Sequence, residues 1–256
     1  MKYISLSFDD SKKNFYDNAF PLLKKYRIPA TLNAITARVN AASEKADRKS
    51  MNVAEIQSLD VSGLIEIASH SAHHKNDKHD VKESICDITS WKLIHYGGGY
   101  ASPFSKITAE DIDYGQVWDL VESGELKYVR SGSSIRREGL FYALISFINR
   151  YVQSSRLYWL LNRKFIIGNL SRPLLPSVAI HCDTTVKQLL YLVGRMKDEE
   201  AVVFCLHNIE NPGSPDYKSL YSWDCKCLEE FIRILSTDET VMFCKTETIV
   251  DRYLKK

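Results

Sequence analysis

A rhythm of short apolar runs alternating with stretches of helical spacing constrains this chain more than any other feature. Lys2 to Phe8 reads as a strand, and Phe15, Ala19, Leu22, Leu23 and Tyr26 then recur at helical spacing before Pro29 breaks the pattern. Ala30 to Ile35 and Leu64 to Ser69 read as strands on either side of a helix from Asn52 to Leu59. Helix Val81 to Leu93 precedes a strand near Ile94 to Ala101, helix Ala109 to Glu122 precedes Lys127 to Arg130, and helix Val186 to Met196 precedes Ala201 to Leu206. Helix Trp223 to Leu235, strand Thr240 to Phe243 and a helix through Ile249, Val250, Tyr253 and Leu254 close the chain. Repeated βα units predict a mostly parallel sheet flanked by helices, and this many of them favour a closed or nearly closed barrel over an open sheet. The expectation is one α/β domain over residues 1–256.

Composition narrows the class. With 45% hydrophobic and 26% charged residues, the chain has a real core and is neither disordered nor of low complexity. A formal net charge of +2 gives no global reason to expect nucleic acid. The start, Met1 to Phe8, is too short and too polar for a signal peptide's apolar segment, and no run approaches the roughly 18 apolar residues of a membrane span. The expected location is therefore cytoplasmic. The cysteines, Cys86, Cys182, Cys205, Cys225, Cys227 and Cys244, are irregularly spaced without paired CxxC motifs, and read as reduced thiols, with Cys205 and Cys244 as plain core residues.

One stretch interrupts the rhythm. Residues 136–165 read as a helical insertion rich in Leu, Ile, Phe, Tyr and Trp. From Arg136 to Arg172 the basic residues Arg136, Arg137, Arg150, Arg156, Arg163, Lys164 and Arg172 face Glu138 alone, which leaves the rest of the chain at about −4. Basic and aromatic residues interleaved on helices suit peripheral contact with an anionic membrane. Packing onto the barrel or a partner subunit, or a lid over the site, is the competing expectation.

The chemistry-bearing residues sit at strand ends. Asp9 and Asp10 end the first strand, where a barrel places its working face, although an Asp there could also cap the next helix. His70 and His74 lie four apart just past the third strand, a spacing that in a helical turn puts both imidazoles on one side, with His73 pointing elsewhere. A carboxylate and these imidazoles would supply three metal ligands and leave a position open for water. Val202 to Leu206 is a buried strand ending in His207, and Tyr100-Ala101-Ser102-Pro103-Phe104 is a strand end broken by proline.

Together these segments resemble the polysaccharide deacetylases of the NodB-homology type, carbohydrate esterase family 4. Ser7-Phe8-Asp9-Asp10 is similar to the family's first motif, His70-Ser71-Ala72-His73-His74 to its second, and Leu206-His207 to its fifth, in the family's order. The resemblance runs from Lys2 to about Tyr253. It implies a distorted (β/α) barrel of about seven strands with the insertion at 136–165, and hydrolysis of an N-acetyl or similar N-acyl group on an amino sugar or glycan, possibly lipid-linked. Asp10, His70 and His74 would hold zinc, or another divalent metal such as cobalt, nickel or manganese. Asp9 would be the base and His207 the acid, with the backbone at Phe104 and neighbouring Tyr100 serving the oxyanion and substrate.

The chain departs from the pattern in places. Ala101 and Ser102 occupy the region where the family often carries an arginine that orients the base. Arg130 could replace it, with an ordinary surface arginine as the competing reading. Asp183 is the candidate acidic partner for the catalytic histidine; on a strand it would share a face with His181. Two other functions remain open: a non-catalytic NodB-like glycan-binding or assembly protein, and an amidohydrolase acting on a non-sugar amide. The sequence sets no oligomeric state.

Overall fold

The computed structural model describes residues 1–39, 50–105, 107, 114–132, 140–215, 217 and 219–254, apart from the side chains at 140–143 and 146. The expected helix start at 109–113 and the insertion's first residues, 136–139, lie outside the described residues. In chain order the elements are β1 (Lys2–Phe8), α1 (Phe20–Tyr26), β2 (Ala30–Ala34), α2 (Val53–Val61), β3 (Ile65–Ser69), α3 (Lys78–Ser90), β4 (Tyr96–Ala101), α4 (Trp118–Glu122) and β5 (Tyr128–Arg130). There follow α5 (Leu140–Val152), α6 (Ser155–Asn162), β6 (Leu174–Leu175), β7 (Val178–Ala179), α7 (Val186–Arg195), β8 (Ala201–Leu206), β9 (Asn208–Glu210), β10 (Ser222–Asp224), α8 (Cys225–Leu235), β11 (Val241–Phe243) and α9 (Thr246–Tyr253).

The main sheet is parallel, in the order β6-β5-β4-β3-β2-β1-β8-β7, with β11 paired to the first residues of β1. It curls into a half-barrel carrying helices, which is the expected NodB-type (β/α) architecture. Its nine strands among the described residues exceed the expected seven because β6 and β7 are two residues long, too short to carry a readable period. A separate parallel pair, β9 with β10, adjoins the end of β8 and was not expected either.

The two faces of β1 explain where the core sits and where the site can form. Ile4, Leu6 and Phe8 point outward and join the largest apolar cluster, with Leu23, Ile56, Leu189 and Phe231. Ser5, Ser7 and Asp9 point the other way, into a polar barrel interior built on hydrogen bonds. Ser5 Oγ shares a 2.8 Å hydrogen bond with Thr246 Oγ1, and Asn33 Nδ2 donates to Ser7 Oγ at 2.8 Å. Lower in the barrel, fully buried Glu66 accepts from Thr31 Oγ1 at 2.7 Å, Tyr128 Oη at 2.6 Å and the Glu247 amide at 3.1 Å. Burial pushes the Glu66 carboxyl above its ordinary pKa, against the pull of those hydrogen bonds. Gly97 and Gly99 of β4 make room for this floor, since a Cβ on Gly97 would meet the Glu66 carboxylate and one on Gly99 the Tyr128 ring.

Candidate active site

The ends of β1, β3, β4 and β8 open onto one cleft of about 670 Å³, lined by Asp9, Asp10, His70, His74, Phe104 and His207 among others. The β-strand period delivers Asp9, because the residues that alternate with apolar Leu6 and Phe8 face the interior. Asp10 and Ser11 then turn the chain with φ of 77° and 48°, a left-handed conformation uncommon outside glycine.

Asp9 is 5% exposed and surrounded by donors. Arg130 Nη2 donates to both of its oxygens, at 2.7 and 2.6 Å, Asn33 Nδ2 donates to Oδ1 at 2.7 Å, and the Cys205 thiol approaches Oδ2 at 3.4 Å. Burial alone would raise the Asp9 carboxyl's pKa. The Arg130 guanidinium, then His70, His207 and the Arg130 hydrogen bonds outweigh it, holding the group ionised well below the usual carboxylate range. Arg130 is itself 2% exposed, and its Nη1 donates to Ser177 Oγ at 3.1 Å. The surface-arginine reading is thus overturned: β5 turns Arg130 inward, where Asp9 balances its charge.

Asp10, His70 and His74 form a triad whose potential ligand atoms all lie within 4.8 Å of one another. His70 Nε2 lies 3.8 Å from Asp10 Oδ1 and His74 Nε2 lies 4.0 Å from the same oxygen. His70 Nδ1 donates to the Ala101 carbonyl at 2.7 Å, so in the neutral ring the Nε2 lone pair faces the triad. Burial, then the neighbouring His70, push the His74 imidazole down to about 4, which favours the neutral form that binds metals. One carboxylate with two imidazoles is a fitting donor set for zinc or a similar divalent ion.

The convergence of these histidines is not helical. Residues 70–74 are irregular, with bends at 72–74 and positive φ at Ser71 (65°) and His74 (62°), and these left-handed positions turn both rings to the cleft. His73 does point elsewhere; it is 49% exposed and bonds Asp80.

His207 follows β8, with Nε2 3.8 Å from Asp9 Oδ2. Burial lowers its pKa, although Asp9 and Asp10 oppose the shift. Its Nδ1 is buried without a hydrogen-bond partner among the described residues, and its ring instead packs on Tyr221, centroids 5.0 Å apart. Asp183 does not partner His207. The strand expected around it stops at Ala179, Thr184 folds a turn back onto His181, and the Asp183 carboxylate pairs with Arg150 of α5 at 3.3 Å. Tyr100 is likewise corrected: it is fully buried and its hydroxyl donates to Asn76 Oδ1 at 2.9 Å, away from the cleft. Phe104 lines the cleft with φ of 54°, its ring 66% exposed and 4.4 Å from that of His74.

Sequence reading missed Asn33, Ser177 and Tyr221, and took Cys205 for core. Strict alternation from Phe204 and Leu206, which join the apolar core, would have turned Cys205 toward Asp9; nothing local marks the other three.

Comparison with known proteins follows the same lines. Residues 1–92 match the polysaccharide deacetylase family model. Poly-beta-1,6-N-acetyl-D-glucosamine N-deacetylase of Staphylococcus epidermidis is 36% identical over 101 residues, which cover 36% of this chain and 34% of that protein. Its Staphylococcus aureus counterpart is 32% identical over 90 residues, 35% of this chain and 30% of that protein. The matches thus span about a third of these curated relatives' length. A polysaccharide deacetylase structure from Mycobacterium smegmatis, described as putative, superposes with a TM-score of 0.58 at 12% identity, covering 98% of this chain and 90% of that one. A family 4 acetyl xylan esterase from Clostridium thermocellum, in complex with a cobalt ion, gives 0.53 at 15% identity, covering 97% and 90%. Residues 1–92 are thus similar to the polysaccharide deacetylase family, and the chain has a fold of the NodB type.

Proposed function

We propose that the chain is a hydrolase that removes an N-acetyl, or similar small N-acyl, group from an amino sugar in a glycan, with a divalent metal held by Asp10, His70 and His74. The observation that carries this reading is the meeting of Asp9, Asp10, His70, His74 and His207 at one cleft, with Asp9 gripped by Arg130. The relatives' names support an amino-sugar substrate. Zinc is the first candidate, with cobalt, nickel and manganese as the others. The metal, when bound, polarises the amide carbonyl and makes water a nucleophile at neutral pH.

The chain's own residues do the rest. Arg130 and Asn33 fix the orientation of Asp9, which takes the proton of the attacking water. The same cation that orients Asp9 weakens it as a base, so the proton must move on. His207 Nε2, 3.8 Å away and neutral in the resting cleft, receives it and delivers it to the departing amine. The backbone at Phe104 faces the developing oxyanion.

Acetate release from β-1,6-linked N-acetylglucosamine oligomers, measured with metal content, tests the reading. Asp10→Ala and His74→Ala should each lose bound metal and at least about 100-fold in activity. Variants that keep both would reject it. Product analysis over a panel of sugar and non-sugar amides separates the deacetylase from a general amidohydrolase. Glycan binding without turnover in metal-loaded protein would favour a binding module.

The substrate side of the reading extends to α5. Leu144, Phe147, Ile148, Tyr151 and Val152 recur at helical spacing and are 40–74% exposed. Residues 139–182 carry Arg150, Arg156, Arg163, Lys164 and Arg172 and no acidic residue. An apolar stripe within a purely basic stretch fits an anionic lipid surface, and Arg150 also lines the cleft. Peripheral docking would bring the cleft to a glycan carried at a membrane.

A further inference from the structure

Of the two imidazoles, His74 is the one whose position depends more on its surroundings. His70 immediately follows β3, whereas His74 lies four residues farther on, in a bend with φ of 62°. A left-handed residue other than glycine is disfavoured because its Cβ crowds the following carbonyl oxygen, so something must hold the loop in that form.

That holder lies outside the recognised motifs. Asp80, in the first turn of α3, is 4% exposed, and its carboxylate turns back under the loop. Its Oδ2 accepts from the His73 amide at 2.9 Å and the Lys75 amide at 3.2 Å, the two amides that flank His74. The His73 Nδ1 sits 2.9 Å from Oδ1, and the Ala72 amide donates to the Asp80 carbonyl at 3.1 Å. Ser71 Oγ closes the ring by accepting from the Lys75 amide at 2.8 Å.

We propose that Asp80 is a positioning residue for the metal centre, clamping both backbone amides around His74 so that its imidazole is presented to the ion. This rests on the reading that Asp10, His70 and His74 hold a divalent ion. His73, Asp80 and Glu83 also lie close enough to suggest a second ion site, but Asp80 Oδ2 is already occupied by the loop amides. Asp80 therefore acts on the first site through the backbone.

Cobalt affinity by chelator competition, with the visible absorption band of the bound ion, tests the clamp in the full chain. Asp80→Ala should weaken cobalt binding about 10- to 100-fold, as loss of an outer-shell partner does, and should alter the band as His74 moves. His73→Ala keeps the backbone clamp and should stay within about twofold of the parent. Should Asp80→Ala not fold, Asp80→Asn and Ser71→Ala open the same ring more gently, and each should still lower affinity. Equal affinity and an unchanged band in folded Asp80 and Ser71 variants would overturn the clamp alone. A His73→Ala loss as large as that of Asp80→Ala would also overturn it. No cobalt bound by the parent, or full binding by Asp10→Ala, would overturn the metal reading and the clamp together.

Discussion

Asp9 carries a charge in a place where charge is expensive, and its neighbours explain how it stays there. A carboxylate removed from water remains ionised only when paired and hydrogen-bonded, and Arg130, Asn33 and the Cys205 thiol supply that environment. Removing the cation leaves the carboxylate buried and uncompensated, so Arg130→Met should cost about 3–5 kcal/mol near neutral pH and abolish most turnover. The pH dependence has a definite sign. In the parent the Asp9 carboxyl is held below its unfolded value near ~3.9, so its stabilisation is full above that value and fades as pH falls. In Arg130→Met burial acts unopposed by that guanidinium and the carboxyl's pKa rises, so the variant sheds less stability in acid. Denaturant melts of metal-free parent and variant from pH 7 down to 3 should show the gap narrowing. A gap that stays constant would mean that the ion pair does not govern Asp9.

At the scale of elements, the sequence was read best where a strand is long enough to show its period. β1 and β8 were read to the residue, and the helices α2, α3, α7 and α8 to within a few residues of their ends. Asp9, His70 and His207, proposed as base, metal ligand and acid, were legible because each lies at the end of a strand, and Asp10 and His74 because they follow close behind. β6, β7, β9 and β10 have two or three residues and cannot display alternation; β5 and β11, equally short, are legible only from the helical pattern that precedes each. The helical turn expected at His70 to His74 failed because i and i+4 spacing has more than one backbone solution, and only the left-handed Ser71 and His74 select this one. Arg130 meets Asp9, as expected of an arginine that orients the base, whereas Asp183 meets Arg150; these partners lie 121 and 33 positions away, beyond any local pattern. Gly97 and Gly99 are what let β4 lie against the buried floor. Gly99→Ala would drive a methyl into Tyr128 and break its bond to Glu66, at about 1–3 kcal/mol, and Gly97→Ala should cost a similar amount. Gly194→Ala, in the exposed last turn of α7 with open space around it, should instead be neutral or gain up to about 1 kcal/mol. Thermal melts of the three variants test this: equal melting points would show that the floor yields freely.

On the scale of the whole molecule, charge and apolar surface are divided unevenly, and the division falls at the mouth of the cleft. The net charge of +2 averages the basic stretch around α5 and α6 against an acidic remainder. The inner helix of this pair is anchored: Tyr158 is 7% exposed, and the Trp159 ring lies beneath Arg163 and Arg195, 5.2 and 5.0 Å from its centroid. The outer helix α5 is held over the cleft by the Arg150–Asp183 pair while its apolar stripe faces solvent. No described helix is long and apolar enough to cross a membrane. Seating Phe147 and Tyr151 in an interface is worth about 1.5–3 kcal/mol each, with about 1 kcal/mol for each nearby basic residue. Phe147→Asp with Tyr151→Asp should therefore weaken binding to vesicles rich in anionic phospholipid by at least about 100-fold. In flotation assays the parent should rise with those vesicles, release as salt is raised, and ignore neutral ones, while the double variant stays at the bottom. The variant should keep the parent's cobalt affinity, because neither side chain touches the triad. If parent and variant float alike, or neither floats, α5 is not a membrane face, and its stripe must meet something other than lipid.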